Sequence, residues 1–209
     1  MTFEKTGSRQ IPSLQATVEE YIEPRSGAHH IHLATDHPEL VFLVAFPTVP
    51  DVSDGRAHIL EHLSLCGSER YPVRDPFFAM LRRSTATFMN AFTYADRTVY
   101  PFASTDRKDF FNLLDVYLDA TFFPNLDYLN FRQEGWRHVL KDGKLSYQGV
   151  VFNEMKGAFN DPMRALYSGI EHELLKGTTY EVESGGDPLV IPELTHEMLK
   201  EFHASHYHP

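Results

Sequence analysis

The pentapeptide His58-Ile59-Leu60-Glu61-His62 carries the residue types of a metal-dependent hydrolase. On an α-helix, His58 and His62 are one turn apart and point to the same side. Neutral imidazole nitrogen is a good zinc ligand, so the two histidines could share one divalent ion. Glu61 lies on the same face, where a carboxylate can act as the general base on a metal-activated water. The order His-x-x-Glu-His is a metalloprotease signature, and the alternative is an amphipathic helix whose histidines face solvent.

A third ligand must come from elsewhere, because a catalytic zinc normally has three protein ligands and one open position. Cys66 follows His58 by eight residues, and each step of four residues drifts by about 40° around a straight helix, so His58, His62 and Cys66 would not converge. A carboxylate on a later helix is the better candidate. Glu154 stands out because residues 150–155 are otherwise mostly apolar, which indicates a buried face where a carboxylate needs a counter-charge. An exposed helix position explains the same local pattern equally well.

Length and composition limit the classes of protein and partner. The chain has 209 residues, of which 42% are hydrophobic, so we expect a single domain over residues 1–209. A formal net charge of −10 disfavours binding to nucleic acid and suits cationic partners, including basic peptides. Cys66 is the only cysteine, which excludes an internal disulfide and a cysteine-based zinc cluster.

The N-terminal sequence and the apolar runs bear on localisation. The first ten residues, MTFEKTGSRQ, contain no apolar core typical of a signal peptide. The longest apolar run, Leu40–Phe46, is too short to span a bilayer. We therefore expect a protein without a membrane partner, in a cytoplasm of bacterial type, with an organelle matrix as the alternative.

The pattern of apolar and turn residues predicts strands in the first half and helices in the second. Asp54 is the predicted N-cap of the helix that carries the pentapeptide, and Gly67 its end. Residues 1–13 are predicted to be irregular, and residues 40–46 to form a strand buried on both faces. The predicted strands cover residues 14–22, 29–34, 40–46, 86–93 and 98–103, with the first three in a meander. Further helices are predicted over residues 75–83, 106–120, 126–140, 147–159, 163–175 and 195–205. This order indicates an α+β fold in which helices pack on one face of a mostly antiparallel sheet.

Four stretches together resemble the pitrilysin (insulinase-type) family of metallopeptidases, in the branch that includes presequence proteases. They are HILEHLSLCGSERYPVRDPF, TATFMNAFTYADRTVYPFAST, FRQEGWR and GVVFNEMKGAF, and the resemblance runs from about Leu40 to the last residue. It implies the pitrilysin/LuxS-like metallohydrolase fold and a zinc endopeptidase that degrades unfolded peptides. It also implies one Zn²⁺ bound by His58, His62 and Glu154, with Glu61 polarising the attacking water.

The same resemblance assigns a surface to the substrate. The hairpin near Asn90, Ala91 and Phe92 would offer a strand edge to an extended peptide, which main-chain hydrogen bonds would hold. The side chains of Phe77, Phe78 and Leu81 could line an apolar subsite beside the metal, although ordinary core packing explains them equally well.

One position departs from the relatives that are most similar to pitrilysin itself. Those relatives place an additional glutamate two helical turns before the third ligand, and that position is Tyr147 here. The resemblance therefore implies that no carboxylate supports the metal ligands from position 147.

The length of the chain suggests that only part of the enzyme is present. Members of this branch are long chains of about four homologous domains, folded as two halves that close around the substrate. We therefore expect a truncated zinc-binding domain that retains metal and depends on the C-terminal half for efficient proteolysis.

Two other functions compete with this interpretation. A non-catalytic binding or scaffold subunit of the same family would typically have lost motif residues, and all four are present here. The lyase that cleaves S-ribosylhomocysteine shares the inverted motif, but its third ligand is a downstream cysteine, which this chain lacks.

Overall fold

The computed structural model describes residues 2–209. These residues form two compact units, one ending at Leu40 and including Pro209, and a larger one over Val41–His208.

The smaller unit is a three-stranded antiparallel meander. Its strands are β1 (Glu4–Ile11), β2 (Ala16–Ile22) and β3 (His29–Ala34). The prediction that residues 1–13 are irregular is therefore wrong. β1 is a mostly polar and exposed strand without the apolar alternation on which sequence patterns depend, and its pairing with β2 defines it.

The larger unit contains a four-stranded sheet in the order β4-β7-β5, in which β6 also pairs with β7. Its strands are β4 (Leu40–Phe46), β5 (Ala86–Met89), β6 (Phe92–Thr93) and β7 (Thr98–Ser104). The prediction that β4 belongs to the same meander as the strands before it is therefore wrong. β4 is also not buried on both faces: Val41 is 66% exposed and Leu43 52% exposed. β4 ends the sheet order and covers the core with alternate residues only, whereas the central strand β7 is buried along its length.

A second hairpin lies where the sequence predicted helix. The helix predicted over residues 126–140 ends early, as α4 (Tyr128–Glu134), and β8 (Arg137–Lys141) pairs with β9 (Lys144–Gln148). Asp142 and Gly143 form the turn, with φ angles of 51° and 73°. Asp-Gly is a favoured pair for a tight hairpin turn, and the prediction read this pair as the end of a helix.

The other helices match the predicted segments, with shifts of a few residues at some ends. In α1, Gly55 occupies the cap position with a φ angle of 71°, and the predicted cap Asp54 accepts a hydrogen bond from the Arg56 amide instead. The helix also ends before the predicted stop at Gly67. The helices besides α4 are α1 (Arg56–Ser64), α2 (Pro76–Arg83), α3 (Arg107–Phe122), α5 (Val150–Ala158), α6 (Pro162–Leu174) and α7 (His196–His206).

The core of the larger unit explains how α1 is oriented. Ile59, Leu60 and Leu63 of α1 are almost completely buried, as are Tyr100 and Phe102 of β7. Burying the apolar side of α1 leaves the pentapeptide's polar side chains on the other side. The predicted α+β class with antiparallel sheets and packed helices is confirmed, although the strands form three separate sheets. None of the helices described within residues 2–209 is long and apolar enough to cross a membrane.

Candidate metal centre

The structure brings His58, His62 and Glu154 together. One potential ligand atom from each residue lies within 4.8 Å of the other two. The two histidines come from successive turns of α1, with ring centroids 5.0 Å apart. The carboxylate comes from α5, where Glu154 Oε2 lies 3.8 Å from His58 Nε2. Among residues 2–209 this is the one such group of histidine, cysteine or carboxylate side chains found.

The main chain of a distant loop orients His58. The Nδ1 atom of His58 lies 3.1 Å from the carbonyl oxygen of Gly185. A carbonyl can only accept, so Nδ1 carries the proton and the lone pair of Nε2 faces Glu154. The imidazole is also largely buried, with 12% of its side chain exposed.

A carboxylate orients His62 in the same way. His62 Nδ1 lies 3.2 Å from Glu134 Oε2, at the last residue of α4. Burial opposes the charged imidazolium, but the hydrogen bond to Glu134 and the negative charges of Glu61, Glu134 and Glu154 outweigh it, so the pKa of His62 is raised. For Glu134, burial acts against the carboxylate, while the bonds from His62 and Gln133 favour it and hold its pKa below the ordinary value.

The fourth residue of the motif, Glu61, is held by a neighbouring strand. Thr93 of β6 donates a hydrogen bond of 2.6 Å from its hydroxyl to Glu61 Oε2. Glu61 therefore has a defined orientation that the sequence motif alone did not specify.

Glu154 differs from the interpretation based on its apolar neighbours. Its side chain is 54% exposed, whereas Val151 and Met155 on the other side of α5 are buried. The apolar residues around Glu154 thus serve the core, and the carboxylate lies on the open side of the helix. Burial was the wrong reason for selecting Glu154, even though the structure places it beside both histidines.

The donor set fits a zinc ion. Zinc bonds His nitrogen and carboxylate oxygen at about 2.1 Å, which places tetrahedral ligand atoms roughly 3.4 Å apart. His58 Nε2 and Glu154 Oε2 are 3.8 Å apart and all three ligand atoms lie within 4.8 Å of one another, so the side chains would have to move closer together to bind the ion. Two imidazoles and one carboxylate leave a fourth position open, as catalytic zinc sites do.

Comparison with known proteins agrees with this arrangement. The model of the insulinase family (peptidase family M16) matches residues 50–156, just over half of the chain. The chain belongs to the insulinase family. The matched segment includes all four motif residues.

Curated relatives are similar to the chain in sequence, and a solved structure is similar to it in fold. The chain is 53% identical over 204 residues to a mitochondrial presequence protease of Mus musculus, covering 95% of this chain and 20% of that protein. It is 47% identical to presequence protease 1, chloroplastic/mitochondrial, of Arabidopsis thaliana, over 99% of this chain and 20% of that protein. The chain thus spans about a fifth of the length of these relatives. In fold the chain is similar to the crystal structure of pitrilysin, with a TM-score of 0.73. The two sequences are 20% identical, and the match covers 98% of this chain and 21% of pitrilysin.

The strand edge expected in this insulinase-family chain belongs to β5, which ends the sheet order and pairs with β7. Asn90 and Ala91 lie between β5 and β6, where the Asn90 amide bonds to Pro101 O and the Ala91 amide bonds to the Asn90 side chain. Phe92, at the start of β6, is 37% exposed.

The three apolar residues expected to line a subsite all lie on α2 but differ in exposure. Phe78 and Leu81 are 58% and 51% exposed, whereas Phe77 packs against the core. Phe78 and Leu81 are therefore accessible to a ligand. The ring of Phe77 makes an edge-on contact with the ring of Phe78.

Sequence reasoning missed three groups that orient the motif: Glu134, Thr93 and the carbonyl of Gly185. Glu134 and Thr93 lie inside stretches that carried the family resemblance, but no spacing rule connected them to the pentapeptide. The carbonyl of Gly185 could not be found from residue types, because every residue has a carbonyl. Tyr147, at the position where some relatives have a glutamate, lies in β9 and its ring contacts Trp136 and Phe152.

Proposed function

We propose that this chain is the zinc-binding peptidase domain of a metalloendopeptidase that degrades unfolded peptides. The observation that carries the proposal is the convergence of His58, His62 and Glu154 within 4.8 Å of one another, with Glu61 beside them on α1. Membership of the insulinase family supports the same activity. His58, His62 and Glu154 would hold the ion.

Each of the site residues has a separate role in the proposed peptide hydrolysis. Zinc, when bound, supplies a Lewis acid that acidifies water and polarises the scissile carbonyl. Glu61 accepts the proton of the attacking water and returns it to the leaving amine. Thr93 holds Glu61 through a hydrogen bond from its hydroxyl to Oε2. The Gly185 carbonyl and Glu134 hold the Nδ1 atoms of the two imidazoles, so that the Nε2 atoms would be the ones to bind an ion.

The substrate would bind as an added strand. The edge strand β5, with Asn90, Ala91 and Phe92 beyond it, would pair with an extended peptide through main-chain groups. Such pairing selects unfolded segments and depends weakly on sequence. Phe78 and Leu81 would contact apolar substrate side chains, and the net charge of −10 would attract basic peptides.

We also propose that these 209 residues turn over peptides slowly by themselves. The chain spans a fifth of the mouse and Arabidopsis relatives. A second half closing over the site would exclude water and add contacts to the transition state. The partner that we infer is therefore a C-terminal half like that of the longer relatives, and adding it should raise turnover without changing the zinc stoichiometry.

The compartment in which the protein works has two candidates. The names of the mouse and Arabidopsis relatives support a mitochondrial or chloroplast location, and a bacterial-type cytoplasm is the alternative. Fractionation of the source cells with an antibody against this chain decides between the two.

The substitution Glu61→Gln tests the proposed function. The wild-type chain should bind one zinc per molecule and cleave a fluorogenic unstructured peptide, with turnover raised by a supplied C-terminal half. Glu61→Gln should keep the zinc and lose at least about 100-fold in turnover, because the amide cannot accept the proton. Retained turnover in this variant would remove Glu61 from its role, and a wild-type chain without zinc would contradict the proposal as a whole.

A further inference from the structure

Glu134 lies in an unfavourable place for a carboxylate. It is the last residue of α4, where the partial negative charge of the helix end repels an anion. Only 12% of its side chain is exposed, so it has also lost most of its hydration. A carboxylate with both disadvantages needs specific donors to remain in place.

The structure supplies those donors. His62 Nδ1 lies 3.2 Å from Oε2 of Glu134, and the side-chain amide of Gln133 donates to Oε1 at 3.1 Å. Each oxygen thus has a described partner, and the partner of Oε2 is a proposed zinc ligand. A carboxylate on the far nitrogen of a metal-binding imidazole fixes its tautomer and makes the other nitrogen a stronger donor.

The backbone brings Glu134 to this position through two glycines. A Cβ atom on Gly149 would lie 1.9 Å from the carbonyl oxygen of Gly135, and one on Gly135 would lie 3.2 Å from the Ile59 side chain. Gly135 follows Glu134 directly and Gly149 precedes α5. The end of α4 therefore lies between α1, which carries His62, and the start of α5, which carries Glu154.

We infer that Glu134 is a positioning residue that aligns His62 for zinc from the end of α4. This inference rests on the proposed function, since it takes the ion to be zinc held by His58, His62 and Glu154. Glu134 does not itself contact the ion. It presents His62 with the proton on Nδ1 and the lone pair of Nε2 toward the site, as the Gly185 carbonyl does for His58.

Zinc affinity measured by chelator competition tests this role. Glu134→Ala should weaken zinc binding 10- to 100-fold, the usual cost of losing the hydrogen-bond partner of a metal ligand. Glu134→Gln should lose less, because its amide oxygen still accepts from Nδ1 without the charge. Two controls should stay within about twofold of the wild type: Glu201→Gln, which removes an exposed charge on α7, and Tyr147→Phe.

A spectroscopic measurement separates positioning from general stability. In the zinc-free protein, the ¹⁵N shifts of His62 should report Nδ1–H in the wild type and a shift toward the Nε2–H tautomer in Glu134→Ala. If Glu134→Ala does not fold, the near-isosteric Glu134→Gln provides the same two readouts.

The possible failures are distinguishable. Zinc binding within twofold of the wild type in both Glu134 variants would overturn the inference and leave the proposed function intact. A wild-type chain that binds no zinc, although its His62 carries the proton on Nδ1, would overturn the proposed function and with it the inference.

Discussion

The two sides of the candidate metal centre are built differently. On the histidine side, His58 and His62 come from a helix whose other face is buried, and each imidazole has an acceptor behind it. On the glutamate side, Glu154 is 54% exposed and meets His58 Nε2 at 3.8 Å. One side is oriented by the fold before any ion arrives, and the other can still adjust.

This difference indicates how the site would accept and hold an ion. Ligands with locked rotamers cost little entropy on binding, so the two histidines set the position of the ion. An exposed carboxylate can rotate to complete the coordination. The histidine side should therefore influence both stability and zinc affinity, and the glutamate side should influence affinity alone.

The largest expected effect comes from breaking the contact that joins the two sides. Gly149→Ala would place a Cβ atom 1.9 Å from the Gly135 carbonyl oxygen, and backbone cannot move away as a flexible side chain can. We expect a loss of about 3 kcal/mol or more in the free energy of unfolding, measured by urea denaturation.

A second glycine in the same segment is the matched control. A Cβ atom on Gly157, near the end of α5, would meet nothing within 4 Å. Gly157→Ala should stabilise the chain by about 0.5–1 kcal/mol, because alanine is the better helix former. Equal effects of the two substitutions would contradict the proposed role of the Gly135–Gly149 contact.

The next effect compares the two sides directly. His62→Ala and Glu154→Ala should each weaken zinc binding by roughly 10²–10³-fold, the share of one ligand in a typical zinc site. Only His62→Ala should also destabilise the zinc-free chain, by about 1–3 kcal/mol, because it removes the hydrogen-bond donor to Oε2 of the Glu134 carboxylate. A zinc-free Glu154→Ala protein that is equally destabilised would contradict the distinction between the two sides.

The smallest expected effect concerns the reactivity of the Cys66 thiol, which lies close to His62. Burial, with the nearby charge of Glu134, raises the pKa of Cys66 from 9.0 to about 12, and the thiol donates to the His62 carbonyl. At pH 8 iodoacetamide should therefore modify the folded chain far more slowly than the chain in urea. Because this pKa is higher in the folded chain, its contribution to stability is complete below pH 9 and is lost as the pH rises toward 12. Equal alkylation rates in the two states would show that Cys66 is open to solvent.

Much of the secondary structure could be predicted locally, and the errors share one cause. α2, α3, α6 and α7 have clear periodicity or caps, and a few residues are enough to recognise them. β1 and the hairpin of β8 and β9 were missed because polar strands are defined by their partners rather than by their own pattern. The exposed side of Glu154 was missed for a related reason: an apolar neighbourhood in sequence does not state which face of a helix is covered.

The sequence by itself determined which side of α1 carries the candidate metal ligands, since a helical repeat of 3.6 residues places His58, Glu61 and His62 together wherever the helix lies. The family resemblance added Glu154. Only the tertiary structure decided how these side chains are oriented, through Glu134, Thr93 and the Gly185 carbonyl. These partners lie 72, 32 and 127 residues from the groups that they hold. Hydrogen bonds over such separations depend on packing between elements, which no local pattern encodes.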